Sequence, residues 1–160
     1  MFTTVLLTEK ALSAHDVERF AHLHDPEPVH IHVLVPAHDD RTELEEVVDD
    51  LARTDFSEAI HDDHDVTDKV RTEGAAGELA VSIAALVAAG VASVDGEVVT
   101  GHPVDSVAGV VAALNADEVV VLTEPHLLAD LTRRDWATRI RHAVDKPVLH
   151  VVLGTDQVVS

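Results

Sequence analysis

The chain has 160 residues, a length that suits one domain with a buried core, and its 46% hydrophobic content argues against disorder. Eleven Lys plus Arg against 30 Asp plus Glu give a formal charge of −19, which excludes sequence-independent binding to nucleic acid or to an anionic membrane. Cysteine is absent, so disulfides, thiolate catalysis and cysteine-based zinc sites are excluded as well.

The first strand is expected over Thr3–Thr8. Ser13 then reads as a helix N-cap with Asp16 in capping-box position and Leu12 and Val17 spaced as a hydrophobic staple, opening a helix to about His24 that buries Val17, Phe20 and Ala21. A second strand, Val29–Val35, lies between Pro28 and Pro36. After it, Leu44, Val47, Val48 and Leu51 recur at helical spacing. Between Asp39 and Asp68 lie 13 of the 30 acidic residues, which read as a solvated helix and loop, an acidic helical segment at about 39–69. The stretch Asp55–Glu73, with His61-Asp62-Asp63-His64-Asp65 at its centre, is expected to be flexible or inserted. An Ala-rich helix follows from about Lys69 to Ala89, with Leu79, Ile83, Leu86 and Val87 on one stripe and Gly90 as its stop. A third strand is expected over Glu97–Gly101 and a helix over Val104–Leu114, capped near Asp105. A fourth strand covers Glu118–Thr123. Thr132 and Asp135 have capping-box spacing ahead of a helix through Trp136, Ile140 and Val144, and Val148–Leu153 is the fifth strand.

No proline interrupts these apolar runs, and four of them are rich in Val, Leu or Ile on both alternating faces, as in parallel strands covered by helices on both sides. Alternating β and α elements imply right-handed crossovers onto one parallel sheet in a single α/β domain, 1–160. The order 3-2-1-4-5 puts the first strand at the centre. No apolar run approaches the roughly 18 residues of a membrane span. Met1–Lys10 has neither a basic stretch ahead of an apolar one nor a cleavage site, so a cytoplasmic protein is expected.

The run GVASVDGEVVTGHPVDSVAGVVAALNADEVVVLTEP and the tail RRDWATRIRHAVDKPVLHVV resemble the universal stress protein family (UspA-like domain) and its actinobacterial relatives, over about Gly90–Leu153 and more loosely over Thr3–Val35. The resemblance implies a three-layer sandwich of the adenine nucleotide alpha hydrolase-like type, a homodimer and a part in stress response. ATP-binding members carry a glycine-rich stretch after the fourth strand. Here that place reads TEPHLLADLTRRDW, without glycine, and the family's Asp after the first strand is missing, the sequence there being Thr8-Glu9-Lys10. Backbone amides need glycine to wrap closely round phosphate, so tight ATP binding is not expected and no cofactor is assigned.

Ligands of open parallel sheets sit outside the carboxyl ends of the strands, where strand order reverses. In this order the crevice lies between strands one and four. Thr8, Glu9 and Ser13 would converge there with Thr123, Glu124 and His126, while His38, Gly101 and His102 end neighbouring strands and Arg133 and Arg134 begin the last helix. Loop polars and caps would produce the same inventory. Motifs for hydrolases, P-loops, zinc peptidases and dinucleotide binding are all missing, so no catalytic residue is assigned.

Twelve histidines include the pairs His22/His24 and His30/His32, the second sharing one face of a strand, but spacing places no third ligand and no metal site is assigned. The last strand, Val148, Leu149, His150, Val151, Val152 and Leu153, carries no charge and would be a bare edge, whereas the opposite edge, Asp95–Thr100, is protected by Asp95 and Glu97. A second copy is therefore expected to pair with the last strand in a symmetric dimer, the alternative being the tail Thr155–Ser160 folding back over it. The expected function is that of a non-enzymatic, universal-stress-protein-like binding or regulatory protein. One alternative is a binder of a nucleotide or other small anion held by Arg133, Arg134, Thr8 and Thr123. The other is an uncharacterised enzyme using His38 or His102.

Overall fold

The structure, a computed structural model, describes residues 1–37, 61–125 and 131–159, with residues 61–71 and 131–135 described as helical backbone. The strands are β1 (Phe2–Thr8), β2 (Val29–Pro36), β3 (Ser93–Val99), β4 (Glu118–Thr123) and β5 (Val148–Val152). All pair in parallel, in the order β3-β2-β1-β4-β5. The helices among the described residues are α1 (Ala14–His22), α2 (His61–Ala88), α3 (Pro103–Leu114) and α4 (Leu131–Ala143).

Side-chain alternation along the strands builds one core on each side of the sheet. Leu6, Ile31, Val33, Val35, Val120 and Leu122 face α1 and α2, where Val17, Phe20, Ala75 and Leu86 meet them. Val5, Leu7, Leu34, Val119 and Val121 face α3 and α4, against Val107, Val111, Trp136 and Ile140. Each large apolar side chain so buried contributes roughly 1.5–3 kcal/mol relative to exposure, which is why these two clusters decide the register. The result is the expected three-layer sandwich.

The capping box forms as the sequence implies: Asp16 N donates to Ser13 Oγ at 3.2 Å and Ser13 N to the Asp16 carboxylate at 3.0 Å. Leu12 and Val17 join the same core. Gly90 ends α2 with φ +90, closed by Val91 N donating to Leu86 O.

Several boundaries differ from expectation. β3 begins at Ser93, four residues before the expected start, because pairing with β2 from His30↔Ser93 to Pro36↔Val99 overrides the weak strand propensity of Asp95 and Gly96. Gly96 is required there: a Cβ would overlap the Val33 carbonyl oxygen and sit 2.8 Å from Leu79 Cδ1. Residues 61–73, in the stretch expected to be flexible or inserted, are part of α2, which is already formed at His61, ahead of the start expected near Lys69. Val87 is 56% exposed, and Ser82 takes a place on the buried stripe with Ala75 and Leu86. The N-cap of α3 is His102, not a residue near Asp105, since Pro103 presets the first helical φ and lacks an amide to cap. Helix α4 is already formed at Leu131, so Thr132 lies inside it rather than capping it. The helix expected around Leu44–Leu51 lies outside the described residues.

The outer edge of β5 is covered by the tail. Val151 and Val158 form an antiparallel bridge, with Val152 N donating to Gln157 O at 2.9 Å and Val159 N to His150 O at 2.8 Å. Within a single chain, the edge is thus covered by the alternative to the expected pairing with a second copy.

Candidate functional site

The carboxyl ends of β1 and β4 lie side by side through the register Thr8↔Leu122, which brings the loop after β1 (Glu9–Ser13) beside Thr123 and Glu124. Burial explains what the hydroxyls there do. Thr8 is fully buried, donates to the Lys10 carbonyl at 2.8 Å and receives Lys10 N at 3.4 Å, so it shapes its own turn. Thr123 is also buried, and its Oγ1 shares a 2.9 Å hydrogen bond with His150 Nε2 on the neighbouring β5. Ser13 is committed to the N-cap, its Oγ donating to Asp16 at 2.6 Å. Glu9 and Glu124 are half-buried at the rim.

Amides in this loop would be the natural anion donors, because backbone N–H groups leading into a helix favour negative charge. Here α2 supplies acceptors to them. Ala11 N donates to the Glu78 carboxylate at 2.5 Å and Leu12 N to Ser82 Oγ at 3.1 Å, while Ser82 Oγ donates to Glu78 O at 2.9 Å. Glu78 and Ser82 were not singled out from the sequence. Their (i, i+4) spacing marks them as one face of a helix, but which loop that face meets depends on a contact 67 residues away.

Farther along the rim, Gly101 turns the chain with φ +91, and His102 caps α3. Arg139 on α4 donates from Nη1 to His102 Nε2 at 3.3 Å, another pairing the sequence did not reveal. Arg133 and Arg134 fall in the first turn of α4, where only their backbone is described. His38 and His126 lie outside the described residues. The register sets the strand ends carrying Thr8 and Thr123 side by side, with Glu9 and Glu124 next along the chain, and Gly101 and His102 form the β3–α3 connection on the far side of β2.

A second polar group lies on the α3/α4 side of the sheet, toward the amino-terminal half of β2. His30 and His32 project from that strand beside Asp95 and Glu97 of β3. Burial raises the Asp95 carboxyl, but hydrogen bonds from His30 and His32 and their charges together bring it below its ordinary value.

No protein-family model and no curated protein matches this sequence. Solved structures do. The hypothetical protein MJ0577 superposes with a TM-score of 0.61 at 15% identity, covering 98% of this chain and 99% of that one. The universal stress protein from Archaeoglobus fulgidus in complex with dAMP has a TM-score of 0.51 at 16% identity, covering 96% and 98%. A universal stress protein in complex with cAMP has a TM-score of 0.53 at 16% identity over the same shares.

Proposed function

With the fold of universal stress proteins as the premise, we propose that this chain is a non-enzymatic binding or regulatory protein of the cytoplasm that does not hold ATP tightly. One observation carries the reading: the amides of Ala11 and Leu12, in the loop after β1, already donate to Glu78 and Ser82. A polyphosphate would have to displace a carboxylate from a hydrogen bond and settle near Glu9 and Glu124. The glycine-free run TEPHLLADLTRRDW after β4 offers no close-fitting backbone in exchange. Isothermal titration with ATP is expected to give no micromolar dissociation constant, and such a constant would overturn the reading.

A second reading is favoured by the dAMP and cAMP in the neighbouring structures: a mononucleotide or another small anion between β1 and β4, drawing on Arg133 and Arg134 at the start of α4. A thermal-shift series of mono- and triphosphates separates the two. A ligand at 100 times its dissociation constant stabilises by about 2.7 kcal/mol, so under the second reading mononucleotides raise the melting temperature and ATP does not. A homodimer through β5 belongs to the same proposal, with the tail as the element a second copy would have to displace.

A further inference from the structure

We propose that His30, His32 and Asp95 form a binding site for a divalent transition-metal ion of the zinc class, with Glu97 orienting one of the imidazoles. The site lies on the β2/β3 side of the sheet and is independent of the crevice at the carboxyl ends of the strands.

The argument begins with the strand period. His30 and His32, two apart on β2, share a face, and parallel pairing sets His32 opposite Asp95 and Leu34 opposite Glu97 on that same face. One ligand atom from each of His30, His32 and Asp95 lies within 4.8 Å of the others. His30 Nε2 is 2.9 Å and His32 Nδ1 2.6 Å from the same oxygen, Asp95 Oδ1, so both nitrogens already point at one place. The ring centroids are 6.4 Å apart and nearly perpendicular, which lets two imidazoles approach a shared ion without stacking.

The remaining nitrogen of His32 is occupied usefully. Nε2 lies 3.3 Å from Glu97 Oε1, which can hold its proton, so that an ion replacing the proton between Nδ1 and Asp95 would take Nδ1 as its ligand. A carboxylate behind a ligating histidine fixes its tautomer and raises its basicity, and its loss typically costs 10–100-fold in metal affinity. The imidazoles are mostly buried, 16% and 12% exposed, while the Asp95 side chain is 60% exposed. That arrangement gives two fixed ligands and one at the solvent side through which an ion can enter.

Metal bonds of about 2.0–2.2 Å at tetrahedral angles separate neighbouring ligand atoms by roughly 3.3–3.6 Å. The present N···O separations would widen by rotation of the exposed Asp95. Two imidazoles and a carboxylate are the donor set of zinc, nickel or cobalt rather than of calcium or magnesium. Three protein ligands leave a coordination position for water or a small anion.

The test uses the full chain, stripped with chelator and titrated with ZnCl2 by calorimetry, with CoCl2 absorption as the spectroscopic readout. With 12 histidines and 30 acidic residues some weak binding elsewhere is expected, so the comparison with variants decides. Wild-type protein should show one tight equivalent and a cobalt d–d band. Asp95→Asn, at an exposed position, and His32→Gln should each weaken that equivalent at least tenfold and abolish the band, and Glu97→Gln should weaken it about tenfold. An unchanged tight equivalent in folded Asp95→Asn and His32→Gln, or no saturable equivalent in the wild type, overturns the proposal.

Discussion

Asp16 is wholly buried, yet its carboxylate gathers donors from two parts of the chain. It accepts from Ser13 N and Oγ within the capping box and from Gly154 N at 2.9 and 3.1 Å, tying the start of α1 to the turn after β5. Asp16→Ala removes a cap partner and leaves these donors unsatisfied, which should cost about 1–3 kcal/mol in urea unfolding. A loss within 0.5 kcal/mol, the usual scatter for surface changes, would mean the carboxylate is not holding this junction. Gly96 is constrained differently, by backbone. Gly96→Ala sets a methyl against the Val33 carbonyl, which cannot rotate away, and should destabilise by about 1–3 kcal/mol in the same assay. Wild-type stability in that variant would show that β3 can shift on β2 at little cost.

At the scale of elements, the covered edge of β5 rests on more than its two ladder hydrogen bonds. Arg19 Nη1 donates to Thr155 O at 3.0 Å, and His15 Nε2 lies 2.9 Å from Asp156 Oδ1, so α1 holds the tail from the side while the strand pairs with it. The exposed His15–Asp156 pair adds little alone, whereas the strand pairing occupies edge groups that would otherwise template association. Removing residues 155–160 should therefore increase self-association, seen by light scattering as a higher mass at micromolar concentration. The same mass with and without the tail would show that β5 is not an adhesive edge. Prolines flanking apolar runs made four strands readable from the sequence. They did not reveal the start of β3, because Ser93, Asp95 and Gly96 form a strand only beside β2. Nor did local spacing join Asp95 to His30 and His32, which lie 65 and 63 residues away and meet it only once the parallel register is set.

For the molecule as a whole, topology was legible because alternating strands and helices admit few right-handed arrangements, and the two-sided apolar runs require helices on both faces. The crevice was legible only as an address. Thr8, Ser13 and Thr123 could be named from the strand ends, but a sequence names the hydroxyl and not its partner, and all three spend hydrogen bonds within the protein. The same arrangement has a consequence for biosynthesis. β1 is the middle strand, yet Thr3 N donates to the carboxylate of Asp117, 114 residues downstream, immediately before β4. At translation rates of about 5–20 residues per second, roughly 6–23 s separate the emergence of the two. Throughout that interval one flank of the central strand has no native neighbour, so every nascent copy must pass from the ribosome with its innermost seam half open.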